Sequence, residues 1–195
     1  MEGVLNFWFG PLKGEFTFPE DKARLWFRGG EALNQEIRES FGEIHALAQA
    51  RQLDHWQDSP RGTLALLILL DQFSRNLNDD GMAFVSDSHA LEVAKAAVKR
   101  GDDLKLKRVE RAFIYLPFEH SEDIKMQEQS VRFFEQLCVG VPPAVELMFS
   151  NMLDYARQHY EIIKKFGRFP HRNKNLGRES TAEEVEFLKK PGSSF

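Results

Sequence analysis

Apolar residues recur along this chain at steps of three and four rather than two, the period of helices and not of strands. Leu33, Ile37, Phe41, Ile44 and Ala48 form one stripe. Leu106, Val109, Phe113 and Leu116 form another, which Pro117 is expected to break. Ala90, Leu91, Ala94, Ala97 and Val98 face one way on a helix that Asp87 can cap and Gly101 closes. Ser121 is expected to cap a helix with Glu122 and Asp123 in its first turn and Ile124, Val131, Phe134 and Cys138 inside. The longest pattern opens at Pro142-Pro143 and carries Met148, Met152, Tyr155, His159, Ile162 and Phe166 to Gly167. It predicts a helix over 143–166 of roughly 36 Å.

Shorter segments complete the picture. Ser59-Pro60 is a helix start, with a capping hydroxyl before a proline at the first helical position. The run Leu64 to Leu70 that follows is apolar all round and should be the central buried element. An aromatic segment from Val4 to Phe9 stops at Gly10-Pro11. Another begins at Pro19 with Glu20 and Asp21 in its first turn, turns Trp26 and Phe27 inward and ends near Gly29-Gly30. Ser180 and Glu183 read as a capping box for a last short helix that ends before Pro191. No fixed-period repeat or dividing linker interrupts the pattern. The expectation is one all-α domain over 1–190 and a frayed tail over 191–195.

Composition narrows the function classes. Of 195 residues 42% are hydrophobic and 29% charged, as in an ordinary globule. Val, Ile and Thr total only 20, which argues against a sheet, while 17 Phe, three Trp and three Tyr supply a large core. A net charge of −4 gives no footprint for nucleic acid or an anionic membrane. The longest apolar run is seven residues, against about 20 for a bilayer span. The first residues lack the basic start and apolar stretch of a secretory signal. Cys138 stands alone, so no internal disulfide is expected and a cytoplasmic location is natural.

Four segments carry a resemblance: Phe7-Trp8-Phe9-Gly10, Leu70-Asp71-Gln72-Phe73-Ser74-Arg75-Asn76, Tyr115-Leu116-Pro117-Phe118-Glu119-His120-Ser121-Glu122-Asp123, and Phe166-Gly167-Arg168-Phe169-Pro170-His171-Arg172-Asn173. In this order they resemble the mainly bacterial family of unknown function number 924, from about Val4 to Leu188. The resemblance implies antiparallel helix pairs of the tetratricopeptide-like superfamily and no particular activity. The chain departs from the pattern at Ser74, where proline is expected, and at Glu119, where methionine is common. The first should leave the helix end after Asp71 less sharply set; the second adds a carboxylate to any site there.

The polar residues within these segments are the candidate chemistry. Asp71 ends an apolar helical face, with Arg75 one turn on as a partner. The network they form with Gln72 and Asn76 either closes the core or serves a site. His120, with Glu122 and Asp123 close by, is a candidate general base. The acids could equally serve helix capping alone. His159 lies in an apolar stripe, as a core histidine or as the floor of a pocket. From Lys164 to Arg178 there are six positive charges and no carboxylate; with −4 overall, the remainder carries −10. Arg168, His171 and Arg172 in that loop suit a phosphate or carboxylate, or else answer acids within the fold. Cys138 falls on an apolar stripe and reads as an inert thiol.

Three functional readings follow. The first is a pocket for a small anionic ligand, walled by Asp71, Arg75, His120, Glu122, Asp123, Arg168, His171 and Arg172, with His159 beneath. The second is a hydrolase or transferase on the same residues, with His120 or His171 as general base and Asp71 or Glu122 orienting it. A metal on His120, Glu122, Asp71 and His159 would need geometry that spacing does not supply, so no metal or cofactor is assigned. The third is a helical-pair protein-interaction module.

Overall fold

A computed structural model describes residues 1–19, 21–23, 26, 30–78 and 81–194. Expectations for Glu20, Phe27 and Gly29 lie outside the described residues. Eight helices are labelled here: α1 (Glu2–Phe9), α2 (Glu31–Gln49), α3 (Pro60–Leu67, continued by a π-helical Ile68–Phe73 and by Ser74–Leu77), α4 (Asp87–Arg100), α5 (Arg108–Glu119), α6 (Ile124–Cys138), α7 (Pro143–Phe166) and α8 (Ala182–Leu188). No strand occurs among the described residues. No helix among them is long and apolar enough to cross a membrane.

The apolar run becomes the centre. Ser59 Oγ accepts the Gly62 N–H at 3.1 Å, and every residue from Leu64 to Leu70 is at most 1% exposed. Over Leu64–Leu70 α3 therefore has no solvent face, and α2, α4 and α5 pack around it. The aromatic residues of α1 close one side: Trp8 meets Phe73 edge-on at 5.6 Å and Phe9 meets Phe113 at 5.1 Å. Beyond α5, successive helices pack pairwise, α5 on α6 and α6 on α7. The short loops between them force neighbouring helices to run antiparallel.

Several local expectations are corrected. Pro117 does not break its helix; α5 continues to Glu119, which sets Glu119 in its last turn and His120 at its C-cap. The helix through Asp71 does not end there either. It widens into the π-helical turn and runs on to Leu77, with Ser74 buried and its hydroxyl 3.0 Å from His45 Nε2. Asp87 is the first residue of α4 rather than its cap, because its carboxylate is drawn to two guanidiniums. On α6 the cap is Asp123, accepting Lys125 N–H at 2.8 Å; Ser121 Oγ accepts Asp123 N–H one step earlier. Ile124, at that exposed first turn, faces outward. The final capping box is Thr181 with Glu184, since Ser180 Oγ is engaged by Asn173 Nδ2 at 3.0 Å.

α7 matches the predicted limits, but its buried stripe is Phe149, Met152, Leu153, Ala156, His159, Ile162 and Ile163, leaving Tyr155 half exposed. A smaller cluster of Ile162, Ile163 and Phe169, with Phe166 and Phe187, lies under the C-terminal segment. Within the tail, Ser193 is buried and donates to Leu188 O at 3.1 Å.

Candidate functional site

The site is built on a chain of charges that crosses four segments. Asp71 Oδ1 meets His120 Nδ1 at 2.7 Å and Arg75 Nη1 at 3.1 Å, and its Oδ2 accepts from Gln72 Nε2. Arg75 Nη2 donates to both oxygens of Asp87, at 3.0 and 3.1 Å. Asp87 also accepts from Arg172 Nη1 at 3.0 Å. His120, Asp71, Arg75, Asp87 and Arg172 thus form one continuous network tying the end of α5 to α3, α4 and the C-terminal segment.

The electrostatics follow from burial. Burial alone would raise Asp71, but the Arg75 charge and the hydrogen bonds from His120 and Gln72 outweigh it and hold the carboxyl well below its ordinary range. Burial and the Arg75 charge push His120 down, so Arg75 is the cation that keeps Asp71 ionised at neutral pH. His120 is then neutral and donates its Nδ1–H to the carboxylate. His159 falls to about 3 and His171 to about 4, both mainly through burial. Burial also lowers Arg172 to about 10, against the opposing attraction of Asp87, and it stays charged near neutrality. Its guanidinium lies between the Phe84 and Phe169 rings, 4.6 and 4.5 Å from their centroids. Arg172 Nε is buried with no hydrogen-bond partner among the described residues.

Two cavities adjoin this network. One, of about 300 Å³, is lined by Arg75, Phe84, His120, His159, His171 and Arg172 among others. The other, of about 350 Å³, has an aromatic and aliphatic wall of Trp26, Phe113, Leu116, Phe134 and Met152. It shares Arg75, His120 and His159 with the first, which makes those three side chains the partition between a polar and an apolar hollow.

Of the expected site residues, Asp71, Arg75, His120, His159, His171 and Arg172 come together. Glu122, Asp123 and Arg168 do not. Glu122 accepts Phe169 N–H at 2.8 Å and both Nη groups of Arg178, at 2.7 and 2.9 Å. Asp123 caps α6. Arg168 forms a two-pronged pair with Glu184, at 2.7 and 2.8 Å, and donates to Glu179 O. Those guanidiniums answer acids of their own segment and of the α5–α6 loop, which pins the basic loop in place.

Glu119 is a site residue that motif spacing does not point to; its departure from the family pattern is the available signal. It is buried, lines the apolar cavity, and has Oε1 3.4 Å from His159 Nδ1. Burial first, and the Asp71 charge second, push its carboxyl up to about 8. At neutral pH it is mainly the neutral acid. Asp87, read as a cap, and Phe84 are the other members that spacing did not reveal.

The profile of a family described as a bacterial protein of unknown function, DUF924, matches residues 4–192. A solved protein of unknown function from Agrobacterium tumefaciens is similar, with a TM-score of 0.81 and 32% identity over 96% of each chain. No curated protein matches the chain.

Proposed function

Since the chain belongs to DUF924, a bacterial family of unknown function, we propose its role from the site itself: it binds a small amphipathic anion. The carboxylate or phosphate head lies in the polar cavity against Arg172 and His171, and the apolar body lies along Trp26, Phe113 and Leu116. The observation that carries this reading is the sharing of Arg75, His120 and His159 by a polar and an apolar cavity. Each is near the lower end of small-ligand sites in volume. The buried Nε of Arg172 supplies a donor that an anion would satisfy.

Thermal-shift and calorimetric titrations with acetate, longer linear acids, aryl acetates and inorganic phosphate test it. Apolar-tailed acids should raise the melting temperature more than acetate does. Arg172→Ala should weaken them at least about tenfold, the loss of a charge-assisted hydrogen bond. Met152→Trp, filling the apolar side, should remove the dependence on tail length. Absence of any acid-induced shift, or full affinity in Arg172→Ala, would sink the reading.

A second reading is favoured by one contact. The 2.7 Å bond from His120 to the ionised Asp71 fixes the imidazole tautomer and orientation as a general base requires. On that reading the chain is a hydrolase or transferase acting on the same anion.

A further inference from the structure

We propose that the bound anion is a hydroxy acid, selected at the partition between the two cavities: its hydroxyl accepts a hydrogen bond from Glu119 Oε2 and donates one to His120 Nε2. This rests on the anion-binding reading above and names the class of ligand.

Glu119 and His120 are consecutive residues at the end of α5, and both line the larger hollow. They offer opposite halves of a hydrogen-bonding pair. His120 Nδ1 is committed to Asp71 at 2.7 Å. The ionised carboxylate only accepts, so Nδ1 carries the proton, and Nε2, with its lone pair, is the ring atom left to a ligand.

Glu119 supplies the second, independent indication. Its Oε2 is buried with no hydrogen-bond partner among the described residues, and the side chain is only 5% exposed. A polar atom so placed is costly until a bound group satisfies it. The proton of the neutral acid belongs on this oxygen. The other oxygen, Oε1, lies 3.4 Å from His159 Nδ1, and that nitrogen carries a proton because it meets the Tyr155 carbonyl oxygen at 2.9 Å. Oε1 thus faces a donor and keeps its lone pairs, which leaves Oε2 as the hydroxyl.

A ligand hydroxyl donates and accepts through one atom, so it answers both groups. A ketone oxygen would answer Glu119 alone, and a methylene neither. An ammonium would donate to His120 and take Glu119 as its carboxylate, but Arg75 lines the same hollow and its charge opposes a cation there. Much of the remaining wall, Trp26, Phe113, Leu116, Phe134 and Met152, is apolar, which favours a single hydroxyl on a hydrocarbon body over a polyol.

Calorimetric titration at about pH 6.5, where Glu119 is mainly the neutral acid, compares octanoate with octanoates carrying a hydroxyl, a ketone or an amine on each chain carbon in turn. Wild type, Glu119→Gln and Glu119→Leu are run in parallel, with melting curves to identify the folded variants. One hydroxy acid should bind at least about tenfold tighter than octanoate and tighter than its ketone counterpart. Glu119→Gln keeps an N–H donor and should retain most of that preference, whereas Glu119→Leu should abolish it. The ligand series in wild type decides the matter even where Glu119→Leu does not fold. Equal binding of every hydroxy acid and octanoate, or a ketone that binds as tightly as the best hydroxy acid, overturns the proposal. So does a hydroxyl preference that persists in folded Glu119→Leu, or a stronger preference for an amine that Glu119→Gln removes. Octanoate binding in any of these cases leaves the anion pocket standing, while failure of every acid to bind removes both.

Discussion

A glutamate carboxyl enclosed in the last turn of a helix beside an ionised aspartate is more stable as the neutral acid, and this sets the pH response of the fold. Glu119 rises from an ordinary value of 4.5 to about 8. Its stabilising preference for the protonated form is therefore complete below pH 4.5 and is lost as pH rises through 8. His159 and His171 fall from 6.5 to about 3 and about 4, so their contribution is present above 6.5 and is lost as pH drops toward those values. The two trends place maximal stability near about pH 6.5. Glu119→Gln should melt like the parent at pH 5 and should exceed it by on the order of a few kcal/mol at pH 9. Chemical denaturation at both pH values checks this; equal stabilities at pH 9 contradict it. Asp71→Asn leaves Arg75 with half its charge partners in a buried setting and should cost about 3–5 kcal/mol.

At the scale of elements, caps and close approaches decide where helices begin. Gly62 sits in the first turn of α3, where an added Cβ would stand 2.2 Å from Trp56 O and 2.9 Å from Ser59 Oγ. The backbone oxygen cannot yield without moving the Asp54–Asp58 turn. Gly62→Ala should thus destabilise by at least about 2 kcal/mol, although alanine is the better helix former. Thr181→Ala, which removes one half of the α8 capping box, should cost about 1 kcal/mol. Urea unfolding separates the two: a Gly62→Ala loss no larger than that of Thr181→Ala would show that the turn accommodates the methyl group.

At the scale of the whole molecule, the C-terminal segment is a second small core tied on by charge. Arg168 with Glu184 and Arg178 with Glu122 hold it, while Arg172 reaches from it to Asp87 on α4. Opening of this segment should therefore be more local than global. Arg168→Ala should speed amide exchange over 166–194 with little change in exchange across α3. It should also weaken acid binding through the displaced Arg172, though Arg168 lines neither cavity. Unchanged exchange in the segment, together with unchanged binding, would show that the Arg168 pair does not hold it.

The spacing of apolar residues determined the helical class, the buried α3 and the limits of α7, because a helix must put one stripe of its own sequence into a core. Capping sites came within a residue or two, since a hydroxyl or carboxylate caps only from a neighbouring position. The sequence also singled out Asp71, His120, His159 and Arg172 as polar side chains that packing alone does not require. Which charges meet was decided by tertiary structure alone. Glu122 was available to either Arg172 or Arg178, and only the path of the loop gave it to Arg178 and left Arg172 to Asp87. Pro117 likewise read as a helix end. Continuation of α5 past it carried Glu119 beneath Asp71 and beside His159, a juxtaposition across 40 residues that no local spacing encodes. Local patterns act over one or two helical turns, whereas an ion pair or a cavity depends on where whole helices come to rest.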